Sequence, residues 1–127
     1  MKNLVICLFI LIASILSSCN VKDIEKYNPD FKGEWRTNVF FYPSVGDSIR
    51  NFITINGNDS GFGVACDKNK PYSKCLYLQA GKMKYNKASK ALQIGNSVDQ
   101  IHYVDKEPFI NNGNWEMIID SVHYYKY

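Results

Sequence analysis

The sequence predicts an all-β domain, a small antiparallel β-barrel of about eight strands, behind a short apolar leader. Three observations predict it. Aromatic residues are abundant, with nine Tyr, seven Phe and two Trp, and aromatic and β-branched side chains suit a pleated, half-buried surface. Short stretches alternate large and polar residues at period two. Turn signals recur at close spacing, with no convincing helical period between them. Such a pattern indicates an antiparallel barrel or sandwich. Strands of this length with large and polar residues alternating suit a small closed barrel, and closure removes the sheet edges that invite aggregation.

The elements follow in chain order. Residues 20–27 are polar, with Val21, Ile24 and Tyr27 three apart, which fits either a helical turn or a plain tether. Asn28-Pro29-Asp30 is a turn. Glu34 to Tyr42 is a first strand, with Trp35, Thr37, Val39 and Phe41 on one face. Ser48 to Asn56 is a second, placing Ile49, Asn51, Ile53 and Ile55 on one face. Asn56-Gly57-Asn58-Asp59 is a hairpin signal, and Ser60 to Cys66 returns as a third strand. Cys75 to Ala80 and Lys82 to Lys87 are the fourth and fifth, with Met83 and Tyr85 inward. Ala91 to Ile94 and Val98 to Val104 follow. Pro108 and Asn111-Asn112-Gly113-Asn114 mark a longer loop. Trp115 to Asp120, where Trp115, Met117 and Ile119 alternate, and Val122 to Tyr127 close the chain.

The leader has one positive charge at Lys2 and an apolar run from Leu4 to Leu16. That run is too short for a bilayer span, which needs about 20 residues, and its layout is that of a removable export signal. Leu16-Ser17-Ser18-Cys19 resembles the lipobox of bacterial lipoproteins. The resemblance implies cleavage before Cys19 and acylation of its thiol and new amine. Each buried CH₂ contributes about 0.8 kcal/mol, so two or three chains hold a small domain on a membrane. The organisation implied is a signal peptide over 1–18, a lipidated tether over 19–30 and a β-barrel domain over 31–127. Lys22-Asp23-Ile24-Glu25 resembles the export signals of Bacteroidota lipoproteins, which implies the outer membrane; a solvated spacer is the other reading. In an exported chain the pair Cys66 and Cys75 reads as a disulfide. Closing that loop contributes roughly 2–3 kcal/mol.

Phe31-Lys32-Gly33-Glu34-Trp35-Arg36-Thr37 resembles the Gly-x-Trp signature that opens lipocalins and avidins, the calycin barrels. The resemblance implies that Trp35 plugs one end of the barrel and that a cation from the last strand, Lys126, packs over its indole. It further implies a cup whose ligand-lining residues include Phe41, Ile53 and Trp115. The Thr-Asp-Tyr motif of that family is missing, and lysine stands where it has arginine.

No constellation for catalysis is visible. His102 and His123 lack ligand-spaced partners, whereas a metal site needs three or four converging ligands. No serine sits in a nucleophile elbow, and Asp99, Asp105 and Glu107 cannot be assigned to a cleft. Neither an enzyme nor a metal site nor a cofactor is expected. Loss of Lys2 with the leader lowers the formal charge from +3 to +2, so nucleic acid is not an expected partner. Residues 68–90 carry seven lysines and no acid, and residues 99–120 carry five acids against Lys106. The basic flank suits anionic glycans or lipid phosphates, or simply guards strand edges. Asp47-Ser48-Ile49 and Asp120-Ser121-Val122 resemble Bacteroidota O-glycosylation triplets. The expected function is a membrane-anchored, non-enzymatic envelope lipoprotein that binds a small apolar ligand or envelope component. The alternative is a protein-interaction module, such as a lysozyme-inhibitor-like lipoprotein or an accessory subunit of an envelope complex.

Overall fold

Strand β4 (Asp47–Ile55) pairs with β2, β3 and β5, and most of the sheet can be followed outward from it. Ile49, Ile53 and Ile55 on its inner face are at most 6% exposed. The computed structural model describes residues 21–44, 46–66 and 75–127. The elements before β4 are β1 (Val21–Asp23), the single helical turn α1 (Ile24–Tyr27), β2 (Gly33–Arg36) and β3 (Phe40–Tyr42). After it come β5 (Gly61–Cys66), β6 (Cys75–Ala80), β7 (Met83–Asn86), β8 (Ala91–Ile94), β9 (Ile101–Asn111), β10 (Asn114–Ile119) and β11 (Val122–Lys126).

All strand pairings are antiparallel. The order across the sheet is β1-β7-β8-β9-β10-β11-β2-β4-β5-β6, with β3 also on β4. The fold is therefore all-β, as expected, but the sheet has eleven strands and is not closed. The path breaks between β6 and β7, which the chain joins through Gly81-Lys82 alone. The reason is local. The edge of β7 is taken by β1, with Val21 opposite Asn86 and Asp23 opposite Lys84. The two-residue link is then used to cross over rather than to pair. A Cβ on Gly95 would lie 2.2 Å from Ala80 O, and one on Gly81 would lie 2.9 Å from Gly95 Cα. Only glycine permits backbones that close.

Of the two readings of residues 20–27, a helical turn or a tether, the helical turn is found at Ile24–Tyr27, and Ile24 (1% exposed) enters the core. Two further expectations are corrected. The first predicted strand is broken at 37–39. Arg36 pairs with Phe52 and Phe40 with Ile49, so three residues on one side oppose two on the other. That extra residue is a bulge. Thr37 N donates to Asn51 O (3.0 Å), and Asn51 N donates to Thr37 Oγ1 (3.0 Å), which satisfies the backbone there. Finally, Pro108 lies inside β9 rather than in a long loop. It falls within a register shift between Lys106 and Phe109, and a second shift lies just before it, between Val104 and Lys106. Proline has no N–H to donate, and bulges are where a strand accepts it. The turn that follows is only Asn112-Gly113, both at positive φ (49° and 81°), as a two-residue hairpin requires.

The core is one cluster that includes Phe31, Trp35, Tyr85, Leu92 and Met117, with Tyr27, Phe62 and Trp115 packed against it. Residues 1–20, with Cys19, lie outside the described residues, as does the expected Cys66–Cys75 bridge at its side chains. In the backbone, Cys66 ends β5 and Cys75 pairs with Ala65. No helix among the described residues is long and apolar enough to cross a membrane.

Candidate functional site

Four of the residues singled out from sequence meet at one end of the sheet. Gly33 opens β2 at φ 135°, and a Cβ there would press 2.9 Å from Lys126 Cε. The glycine therefore admits both the backbone turn and the lysine. Two residues on, Trp35 is fully buried opposite Ile53, and its Nε1 donates to Phe31 O at 2.8 Å. Lys126 Nζ stands 5.1 Å from the Trp35 ring and 5.4 Å from the Trp115 ring, and donates to Asp30 O at 2.9 Å. A cation over an indole face contributes about 0.5–2 kcal/mol.

Phe41 does not join this group, which corrects its assignment as a lining residue. The bulge at 37–39 moves it to the other face, since a one-residue slip inverts every later side chain. It is 63% exposed. Trp35 and Ile53 belong to the core cluster, and Trp115 packs on it. Surface clefts occur among the described residues. One of about 400 Å³ is lined by Glu25, Lys26, Pro29, Lys32, Asn56 and Gly57. Another, of about 300 Å³, follows Ala80 to Lys84 and Gly95-Asn96. Neither contains a predicted lining residue.

Sequence reasoning placed no partner on the polar clusters. Glu107, turned by the β9 bulges, accepts from Tyr27 Oη (2.9 Å) and Tyr85 Oη (3.2 Å). Burial first, and then the charge of Glu107, raises the Tyr85 phenol above its ordinary range. Glu116 is nearly buried beneath His123 and Asn111. The hydrogen bond from His123, followed by that from Asn111, holds its carboxyl below the ordinary value. His102 bridges the open seam: its Nδ1 meets Asp120 Oδ2 (2.6 Å), and its Nε2 meets Gln79 Oε1 on β6 (2.5 Å). The Phe62 ring lies 5.3 Å away. Side chains thus join β6 to β9 where no ladder does. Among the described residues no three His, Cys, Asp or Glu side chains converge to hold a metal ion. Of the carboxylates left unassigned from sequence, Asp105 accepts from Ser121 N (2.6 Å) and Glu107 takes the two tyrosines.

The remaining candidate surface is β3. Val39, Phe40, Phe41 and Tyr42 are 40–63% exposed, and among the described residues β3 pairs with β4 alone. No charged residue occurs from Thr37 to Gly46. Natural edge strands are usually blunted by lysine, proline or burial, and here only Pro43 intervenes. No known protein family, curated protein or solved structure matches the chain. The signal that would have revealed this edge is the β-branched and aromatic run Val39-Phe40-Phe41-Tyr42 itself, too hydrophobic for a strand with only one buried face.

Proposed function

We propose that the chain is a cell-envelope lipoprotein, acylated at Cys19, whose calycin-like sheet is a non-enzymatic protein-interaction module. The observation that carries the reading is the uncharged aromatic edge at 39–42. An open edge supplies backbone donors and acceptors to an extended segment of a partner, and alternate side chains give it specificity. Aromatic residues are also those enriched at the centre of interfaces. A cup for a small apolar ligand has less support. Trp35 and Ile53 are spent on the core, Trp115 packs against it, and Phe41 faces solvent. The lipobox supports the anchor, and the outer membrane is the membrane the segment after Cys19 suggests.

Native mass spectrometry of the membrane-extracted protein tests both halves. The expected species begins at Cys19, carries acyl chains and holds a partner polypeptide. The double variant Phe41→Ser/Tyr42→Ser should be acylated but alone. A small apolar molecule retained inside both forms would return the reading to ligand binding. A chain that keeps residues 1–18 and no lipid would overturn the anchor.

A further inference from the structure

The anchor reading, on which this inference rests, places the acyl chains two residues before the first strand. Those residues span at most about 7 Å. Val21 then pairs directly with Asn86, so the β7–β8 hairpin is held by a strand that begins two residues after Cys19. From Lys82 to Lys90 that hairpin carries four lysines, Lys82, Lys84, Lys87 and Lys90, all exposed, and no acid. Its tip, Ala88-Ser89, is small and apolar or uncharged. The acids nearby are already engaged. Asp23 meets Lys26 at 3.4 Å and Lys82 at 3.7 Å, and Glu107 takes Tyr27 and Tyr85. Glu25 faces Gly57, at the far side of α1. Lys84 stands opposite Asp23 in the ladder, and Lys87 lies 5.2 Å from the Tyr27 ring; among the described residues Lys84, Lys87 and Lys90 form no close ion pair, and all three are exposed beside β1. Exposed charges act over about 8 Å at physiological salt.

We infer that the β7–β8 hairpin rests on the anionic lipid headgroups of the leaflet that holds the Cys19 acyl chains. Lys84, Lys87 and Lys90 meet lipid phosphates, and β1 is held flat against the surface. The domain is thereby oriented as well as tethered, because headgroup contact adds to a lipid anchor the second signal that stable attachment uses.

The test uses the full lipidated protein in vesicles of phosphatidylcholine alone, or of phosphatidylcholine with about one-third phosphatidylglycerol. Lysines are acylated with a water-soluble amine reagent and read by mass spectrometry. Labelling of Lys84, Lys87 and Lys90 should be several-fold slower on the anionic vesicles, and high salt should remove the difference. In Lys87→Glu/Lys90→Glu, whose side chains are exposed, Lys84 should label equally on both. Equal labelling of the parent protein on both vesicles, with acylated Cys19 and full co-flotation, overturns the inference and leaves the anchor intact. Failure to float, or an unmodified Cys19, overturns the anchor itself.

Discussion

Two strands of three residues lie at edges of this sheet, and they are opposites. β1 reads Val-Lys-Asp, pairs with β7, and runs straight into the buried Ile24. β3 reads Phe-Phe-Tyr, pairs with β4, and follows a bulge that turns Phe41 outward. Length and pairing are the same, so neither explains the difference. Charge does. An edge with lysine and aspartate resists a second strand and suits water or headgroups, whereas an uncharged aromatic edge suits another polypeptide. The two sites are also far apart. Gly33, close to α1, pairs with Ile55, and Tyr42 pairs with Asp47. At about 3.3 Å per residue, β4 separates them by roughly 26 Å.

The comparison breaks most readily at Ile24. If β1 is an integral edge, Ile24→Ala should cost about 2–5 kcal/mol, the usual loss for a fully buried isoleucine, seen as a lower urea midpoint. A loss under about 0.5 kcal/mol would make β1 a tether after all. A smaller effect is expected where the two halves of the sheet meet. Lys126→Met removes the cation over Trp35 and Trp115 and should cost about 0.5–2 kcal/mol, with Trp fluorescence shifted.

Acid should separate the edges next. The hydrogen bond from Lys26, aided by the charge of Lys82, holds the Asp23 carboxyl below its ordinary 3.8. A lowered value means stability that is present above 3.8 and lost as pH falls through the folded value. Amide protection at Val21–Asp23 should therefore fall below about pH 4, while that at Phe40–Tyr42, a strand without a carboxylate, holds. Asp23→Asn should flatten the β1 response. The smallest effect is expected at Phe41. Phe41→Ser should leave thermal stability within about 0.5 kcal/mol while abolishing partner retention. A large loss of stability would show that Phe41 is packed after all.

The strands were legible because their period was. Ile49, Ile53 and Ile55 alternate, and they are buried. Gly33, Trp35 and Lys126 were singled out through the likeness of the Gly-x-Trp stretch to calycin barrels, and Lys126 stands over the Trp35 indole. The bulge at 37–39 was not legible. Its one extra residue leaves no mark in composition, yet it reverses Phe41. Pro108 pointed to a loop because its missing N–H forbids a regular ladder, and only the paired register shifts accommodate it within β9. The open seam could not be read either, since it depends on β1 competing for the edge of β7. The spacing of Val21, Ile24 and Tyr27 pointed to a helical turn or a tether, and neither reading contains the strand pairing of Val21 with Asn86.

The ladder between β2 and β11 has a consequence for how the molecule assembles. Arg36 and Tyr125 come from opposite ends of the chain, while β4 to β6 and β7 to β11 are successive hairpins. Contacts distant in sequence carry the larger loop-closure cost and form late. During synthesis the hairpins can zip as they emerge, but β2 waits for Val122–Lys126 before its second neighbour exists. A ribosome that stops short of Val122 therefore releases a chain with its tryptophan end unsealed.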